Sequence, residues 1–185
     1  MTDLKYALDI ALLNVQKNID MNSIKKNQIE VRALDWFDEK MINWSEEELE
    51  SIDVLVAADV IWQEVLIVPL ANTIVRLLAI MERGRRKREL EKEKERGERG
   101  ERGERGERGE RGERERERES NTVLHKERCY CYVMYTSRYG EKFDAMVLDG
   151  FQGAGLVVEK QPHDEMDPIY RYDEAVVWSL HVLHT

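Results

Sequence analysis

The chain reads as an α/β protein built on a parallel sheet, and three features predict this. The first is Asp53-Val54-Leu55-Val56-Ala57-Ala58-Asp59-Val60-Ile61-Trp62, an apolar run that ends in small residues, a carboxylate and an aromatic. Such a run is expected of a strand buried on both faces in the middle of a parallel sheet. The second is the alternation of strand-like and helix-like segments over residues 4–81, the βαβ rhythm of parallel sheets. The third is the position of Asp59 and Trp62. Ligands of open α/β sheets bind beyond the carboxyl ends of the strands, where these two side chains stand.

Taken in order, Leu4, Ala7, Leu8, Ala11, Leu12, Val15 and Ile19 recur at three- and four-residue steps and predict a helix over 4–19, with Asp3 at or just before its start. Residues 28–36 alternate polar and apolar and predict a strand closing on Leu34-Asp35-Trp36. Ser45 with Glu48 three residues on forms a capping-box pattern for a short helical turn. The buried strand follows at 52–58, then a Val/Leu/Ile-rich helix over 62–81 with Pro69 near its start or at a kink. After residue 121, 125–136 reads as a strand with Cys129, Cys131, Val133 and Tyr135 on one side and Tyr130, Tyr132 and Met134 on the other. Residues 141–152 read as a helix with Phe143, Met146, Val147 and Phe151 on one face, ended by Gly153 and Gly155. Strands at 156–160 and 175–183, joined by a polar loop, are expected to pair antiparallel at the sheet edge.

Residues 82–121 break the pattern. A mixed-charge run, Arg85-Arg86-Lys87-Arg88-Glu89, leads into Glu-Arg-Gly triplets with glycine at 97, 100, 103, 106, 109 and 112 and then into alternating Glu-Arg. Triplets without proline do not hold a collagen helix, and a glutamate beside nearly every arginine cancels the field that RNA binding needs. The segment is expected to be a solvated low-complexity insertion, disordered or partly helical, whose first turns can extend the preceding helix and which adds nothing to a core. The organisation is then a first part at 1–81, the insertion at 82–121 and a C-terminal part at 122–185.

Charge narrows the partners. The segment from Glu82 to Ser120 carries 16 Lys and Arg against 14 Asp and Glu, leaving 13 basic and 24 acidic residues elsewhere, a net charge near −11. A surface so acidic repels nucleic-acid backbones and suits a basic protein partner. Cys129 and Cys131 read as small buried hydrophobes rather than metal ligands, and His125, His163, His181 and His184 are too scattered for a metal site. With no signal peptide and no apolar run of about 18 residues, no membrane association is expected, and the location is cytosolic or nuclear.

The order of parts resembles a known family. Thr2-Asp3-Leu4 before a helix ending in Asn14-Val15-Gln16-Lys17-Asn18, then Leu34-Asp35-Trp36, then Ala57-Ala58-Asp59-Val60-Ile61-Trp62, is similar to the C-terminal two-thirds of the seven-β-strand protein-lysine methyltransferases, nearest the methyltransferase-like group that includes methyltransferase-like protein 22. The resemblance implies a Rossmann-like seven-strand sheet that here lacks its first strand and helix. It implies S-adenosylmethionine as cofactor and a lysine side chain of a protein as substrate. Asp3 would face the cofactor ribose, Trp36 the adenine, and Ala58 would border the cofactor. Asp59 and Trp62 would stand in the place of the family's Asp-x-x-Tyr element beside the target lysine, with Trp62 lacking the tyrosine hydroxyl.

Each of these residues also has a plainer role. Asp3 and Asp59 can cap the helices that follow them, and Trp36 can be a core or rim side chain. The family's glycine-rich cofactor loop should precede Asp3, yet only two residues do. The expectation is therefore that this chain alone binds S-adenosylmethionine weakly or not at all. The competing reading is a non-catalytic methyltransferase remnant or interaction module with a charged spacer.

Overall fold

The computed structural model of the chain describes residues 1–22, 29–38, 44–100, 129–137, 139–162 and 175–182. They fall into two compact units, 1–45 and 46–185.

In the first unit, strand β1 (Thr2–Asp3) leads through a 3-10 turn (Lys5–Ala7) into helix α1 (Leu8–Asn22), and strand β2 (Arg32–Ala33) returns alongside β1. The pairing is parallel, Thr2 opposite Arg32 and Asp3 opposite Ala33. Arg32 N–H donates to Met1 C=O at 3.1 Å and Leu34 N–H to Asp3 C=O at 2.9 Å. The apolar stripe read from the sequence is the less exposed side of α1, with Ala11 buried, although Leu12 remains 51% exposed. The strand expected over 28–36 shrinks to two paired residues. A ladder extends only as far as its partner, and β1 offers two residues.

The second unit carries helix α2 (Glu46–Glu50), strand β3 (Val54–Ala58), a 3-10 turn (Glu64–Leu66), helix α3 (Ile67–Gly100), strand β4 (Tyr130–Thr136), helix α4 (Glu141–Gly153) and strands β5 (Leu156–Lys160) and β6 (Ala175–Val182). Its sheet has the order β3-β4-β6-β5. β3 runs parallel to β4, and β6 lies antiparallel between β4 and β5. The expected antiparallel closing pair is present. Alternation on β4 also holds, with Cys131, Val133 and Tyr135 buried on one face. They meet Trp178 and Leu180 of β6, Val147 and Phe151 of α4, and the α3 stripe of Leu70, Ala71, Ile74, Leu77, Leu78 and Met81. Trp178 joins the layers, its ring 4.9 Å from Tyr135 and 6.0 Å, edge-on, from Phe151. α4 ends as expected, with Gly155 at φ 89° and its N–H donating to Gln152 C=O at 2.9 Å.

Four expectations are corrected here. β3 is not buried on both faces: it is the terminal strand of its sheet, with Val54 49% and Val56 70% exposed and only Leu55 and Ala57 half-buried. An apolar run reports what a strand could bury, not how many layers cover it. Helix α3 begins at Ile67 rather than at 62, which puts Pro69 in its first turn, where the missing N–H has no intrahelical partner to lose. By length and composition α3 also contains a stretch apolar enough to cross a membrane, where no such run was expected; in this fold it supplies the core stripe.

The fourth correction concerns the expectation that nothing from residue 82 onward adds to a core. α3 continues to Gly100, in line with the expected extension of the helix, and within its charged turns Glu82 and Gly84 are buried. Glu82 is only 8% exposed. Its carboxylate accepts the Cys129 N–H at 2.8 Å and pairs with Arg85 at 3.1 Å. Outside that pair, α2 lies along the same turns. Arg83 pairs with Glu46 at 2.6 Å, Lys87 with Glu50 at 3.8 Å, and Arg88 bonds both the Glu50 carbonyl and Asp53. Acidic α2 and basic residues 83–88 are complementary across thirty-odd positions, which composition does not reveal. The triplets beyond Gly100 and the segment to residue 121 lie outside the described residues.

Two outcomes follow from this packing. A Cβ on Gly84 would stand 2.2 Å from the Glu50 carbonyl oxygen, so Gly84→Ala should lose about 1–3 kcal/mol to overpacking against a gain of about 1 kcal/mol in helix propensity, read as a lower denaturation midpoint. Burial pushes the Cys131 thiol up to about 12 from 9.0, so the unfolded chain releases this proton first as pH rises. Stability should therefore be intact below pH 9 and decline above it. Cys131→Val should flatten that alkaline decline in pH-dependent melts.

Candidate functional site

In both units the candidate residues sit where parallel strands end. In the first, Asp3 closes β1, and Trp36 stands in the turn three residues past the end of β2. Asp3 is exposed and Trp36 half-buried. The Asp3 Oδ1 accepts the Leu4 N–H at 2.7 Å. That bond is too local to cap a helix, and Leu4 rather than Asp3 occupies the cap of the following turn. The capping role open to Asp3 is thus not the one it fills. A carboxylate keeps further acceptor capacity after one such bond, so Asp3 fits a ribose hydroxyl. Asp35 shapes the turn that carries Trp36: its Oδ1 accepts the Phe37 N–H at 2.9 Å and its carbonyl the Asp38 N–H at 3.3 Å. This is an Asx turn.

In the second unit, β3 delivers Ala58, Asp59 and Trp62. Ala58 is the last residue of the strand, opposite Met134, and is exposed. Asp59 has φ 52°, the one positive φ among the described residues other than glycine. Its N–H donates to the Met134 carbonyl at 2.8 Å, so the backbone turns while still tied to β4. Asp59 cannot cap the next helix, because the cap of the 3-10 turn is Gln63, four residues on. Between the two, Ile61 is 3% exposed and Trp62 55% exposed. One side chain anchors the loop and its neighbour is presented.

The structure thus groups Asp3 with Trp36, and Ala58 with Asp59 and Trp62. His181 belongs to neither group, being buried on β6, edge-on to Tyr130 at 5.7 Å; His125, His163 and His184 lie outside the described residues. Sequence reading missed the buried polar atoms at Tyr135 and Asp144. Tyr135 was counted among the apolar face of its strand, and Asp144 carries no motif. Only the packing of α4 on the sheet makes them neighbours.

Against known proteins, a family model described as a lysine methyltransferase matches residues 1–93, half of the chain and the part that holds all five candidate residues. No curated protein matches the chain, so the narrower likeness to the methyltransferase-like protein 22 group rests on the motif order alone.

Because β3 presents Asp59 through its backbone conformation, Asp59→Asn, which tolerates the left-handed region, should leave the unfolding free energy within about 1 kcal/mol of the parent, whereas Asp59→Val should lose about 1–2 kcal/mol, both read from thermal melts.

Proposed function

The chain belongs to the lysine methyltransferase family, and on that premise we propose that its site serves S-adenosylmethionine-dependent methylation of lysine side chains in a protein substrate. The observation that carries this reading is the carboxyl end of β3, where Asp59 is held at φ 52° beside an exposed Trp62 inside the matched region.

In this reading Asp3 accepts the ribose hydroxyls, Trp36 lies against the adenine, and Ala58 leaves room at the cofactor's edge. When bound, S-adenosylmethionine supplies an electrophilic methyl group on its sulfonium. The chain's own task is to bring a neutral amine into line with it. The Asp59 carboxylate hydrogen-bonds the lysine nitrogen and orients its lone pair. The indole face of Trp62 then covers the methylammonium product by cation–π attraction, worth about 0.5–2 kcal/mol. The methyl group would pass to the nitrogen as its bond to sulfur breaks and that electron pair returns to the sulfur, leaving a neutral thioether, and the cationic nitrogen would shed its surplus proton to Asp59 or to water. A tryptophan needs no hydroxyl for the cation–π role, so the Asp-x-x-Trp order is compatible with it. The acidic charge outside residues 82–120 suits a lysine-rich substrate.

With labelled S-adenosylmethionine and incorporation read at lysine, Asp59→Asn should lower kcat about 100-fold with little change in cofactor affinity. Unchanged methylation would take Asp59 out of the site.

A further inference from the structure

Beyond Asp59 the chain alternates anchored and presented side chains. Ile61, Ile67 and Leu70 are buried, whereas Trp62, Val65 and Val68 are 55%, 60% and 58% exposed. Exposed apolar residues scattered singly need no explanation, but these three recur at three-residue steps outward from the site. Gln63 is extended, at φ −145° and ψ 145°, residues 64–66 form the 3-10 turn, and α3 begins at Ile67. With rises of about 3.3, 2.0 and 1.5 Å per residue in those three conformations, Val65 lies about 7 Å along the chain from Trp62, and Val68 about 5 Å further. The segment is also held in place. Pro69 fixes φ in the first turn of α3, and Gly150 of α4 lies so close that a Cβ there would overlap the Ile67 Cγ2. Charge is graded along it, because the exposed carboxylates Asp59 and Glu64 belong to the end nearest Trp62.

Resting on the reading that this site takes a lysine side chain, we propose that Val65 and Val68 continue it as a ledge that selects the substrate. The occupant is an extended segment with apolar side chains two and four residues from the target lysine, both on the same side of it. In an extended chain alternate side chains share a face at intervals of about 6.6 Å. A lysine placed at Trp62 therefore brings the second residue to Val65 and the fourth to Val68, a span of about 13 Å over a ledge of about 12 Å. Asp59 and Glu64 attract the cationic end of such a segment, and the uncharged end meets the two valines. Val65 and Val68 touch no reacting atom. They determine which lysine is presented, and the ledge is ordered by folding before the segment arrives.

The test uses four glycine–serine peptides, each with one central lysine. Two carry leucine at the second and fourth positions, one after the lysine and one before it; a third carries leucine at the first and third positions, and the last has none. Binding is followed by the NMR shifts of the Val65 and Val68 methyl groups, and transfer of label from S-adenosylmethionine to the lysine is measured separately. One of the two in-register peptides should bind about tenfold more tightly than the leucine-free one, and the out-of-register peptide no more than about twofold more tightly. Val65→Ser combined with Val68→Ser, both at exposed positions, should bring the in-register peptide to within about twofold of the leucine-free one. Should that variant fail to fold, the register comparison on the parent chain decides alone. Equal affinity of all four peptides overturns the ledge, as do methyl shifts that track protein concentration without peptide, which assign the row to a second copy of the chain. Equal methylation of all four removes the ledge and leaves lysine methylation standing. In-register binding without label transfer supports the ledge and counts against methylation at the site.

Discussion

The bond from the Cys129 N–H to the Glu82 carboxylate, 2.8 Å long and buried, fixes where the chain re-enters the sheet after α3. Cys129 is the residue before β4, so this bond sets the start of that strand, and Val54 then falls opposite Tyr130 along the whole β3–β4 register. Carried to the other end of the pair, the same register brings the Asp59 N–H to the Met134 carbonyl. A carboxylate on the helix thus governs the placement of a second carboxylate at the strand's far end. Glu82 is held in turn by Arg85, which also pairs with Glu89 at 2.7 Å. Removing one member of such a buried pair costs about 3 kcal/mol or more, because the other charge is left behind without its partner.

How much of this was legible in the sequence depended on whether the signal was local. Alternation on β4 was readable because side chains on a strand point to opposite faces by geometry alone, and Cys129, Cys131, Val133 and Tyr135 are indeed buried together. The helix at 141–153 and its glycine stop were readable for the same reason, since capping is settled within a few residues. Burial of Val54 and Val56 was not, because it depends on what lies across the sheet, and periodicity carries no information about that. Nor was the role of residues 82–88. They look like the start of a solvated charge run, and only acidic α2 and Asp53, some 35 residues earlier, show what they pair with at the surface.

The candidate site divides along the same line. Residue types and their order marked Asp3, Trp36, Ala58, Asp59 and Trp62, all of which lie within the matched residues 1–93. The alternative roles needed coordinates to resolve. Whether an aspartate caps a helix depends on where the first turn begins. Here the turns begin at Leu4 and Gln63 as caps, which leaves neither Asp3 nor Asp59 in that position. Tyr135 and Asp144 show the opposite case, two unremarkable residues given meaning by a helix laid over a sheet.

The left-handed backbone of Asp59 is a cost that needs an explanation. Outside glycine, this region is unfavourable by about 1–2 kcal/mol, and aspartate bears it better than most side chains. A residue stays there only when its surroundings over-determine it. Two restraints do so: the N–H bond to Met134 on one side, and the buried Ile61, two residues on, which pins the returning chain. Between these restraints the backbone has little freedom, so the Cα–Cβ direction of Asp59 is set by the fold rather than by any ligand. A group whose task is to orient an amine gains from that arrangement, since the ordering entropy has been met in folding and not at the moment of binding. Trp62, one residue beyond the Ile61 anchor, inherits the same rigidity while keeping its face exposed.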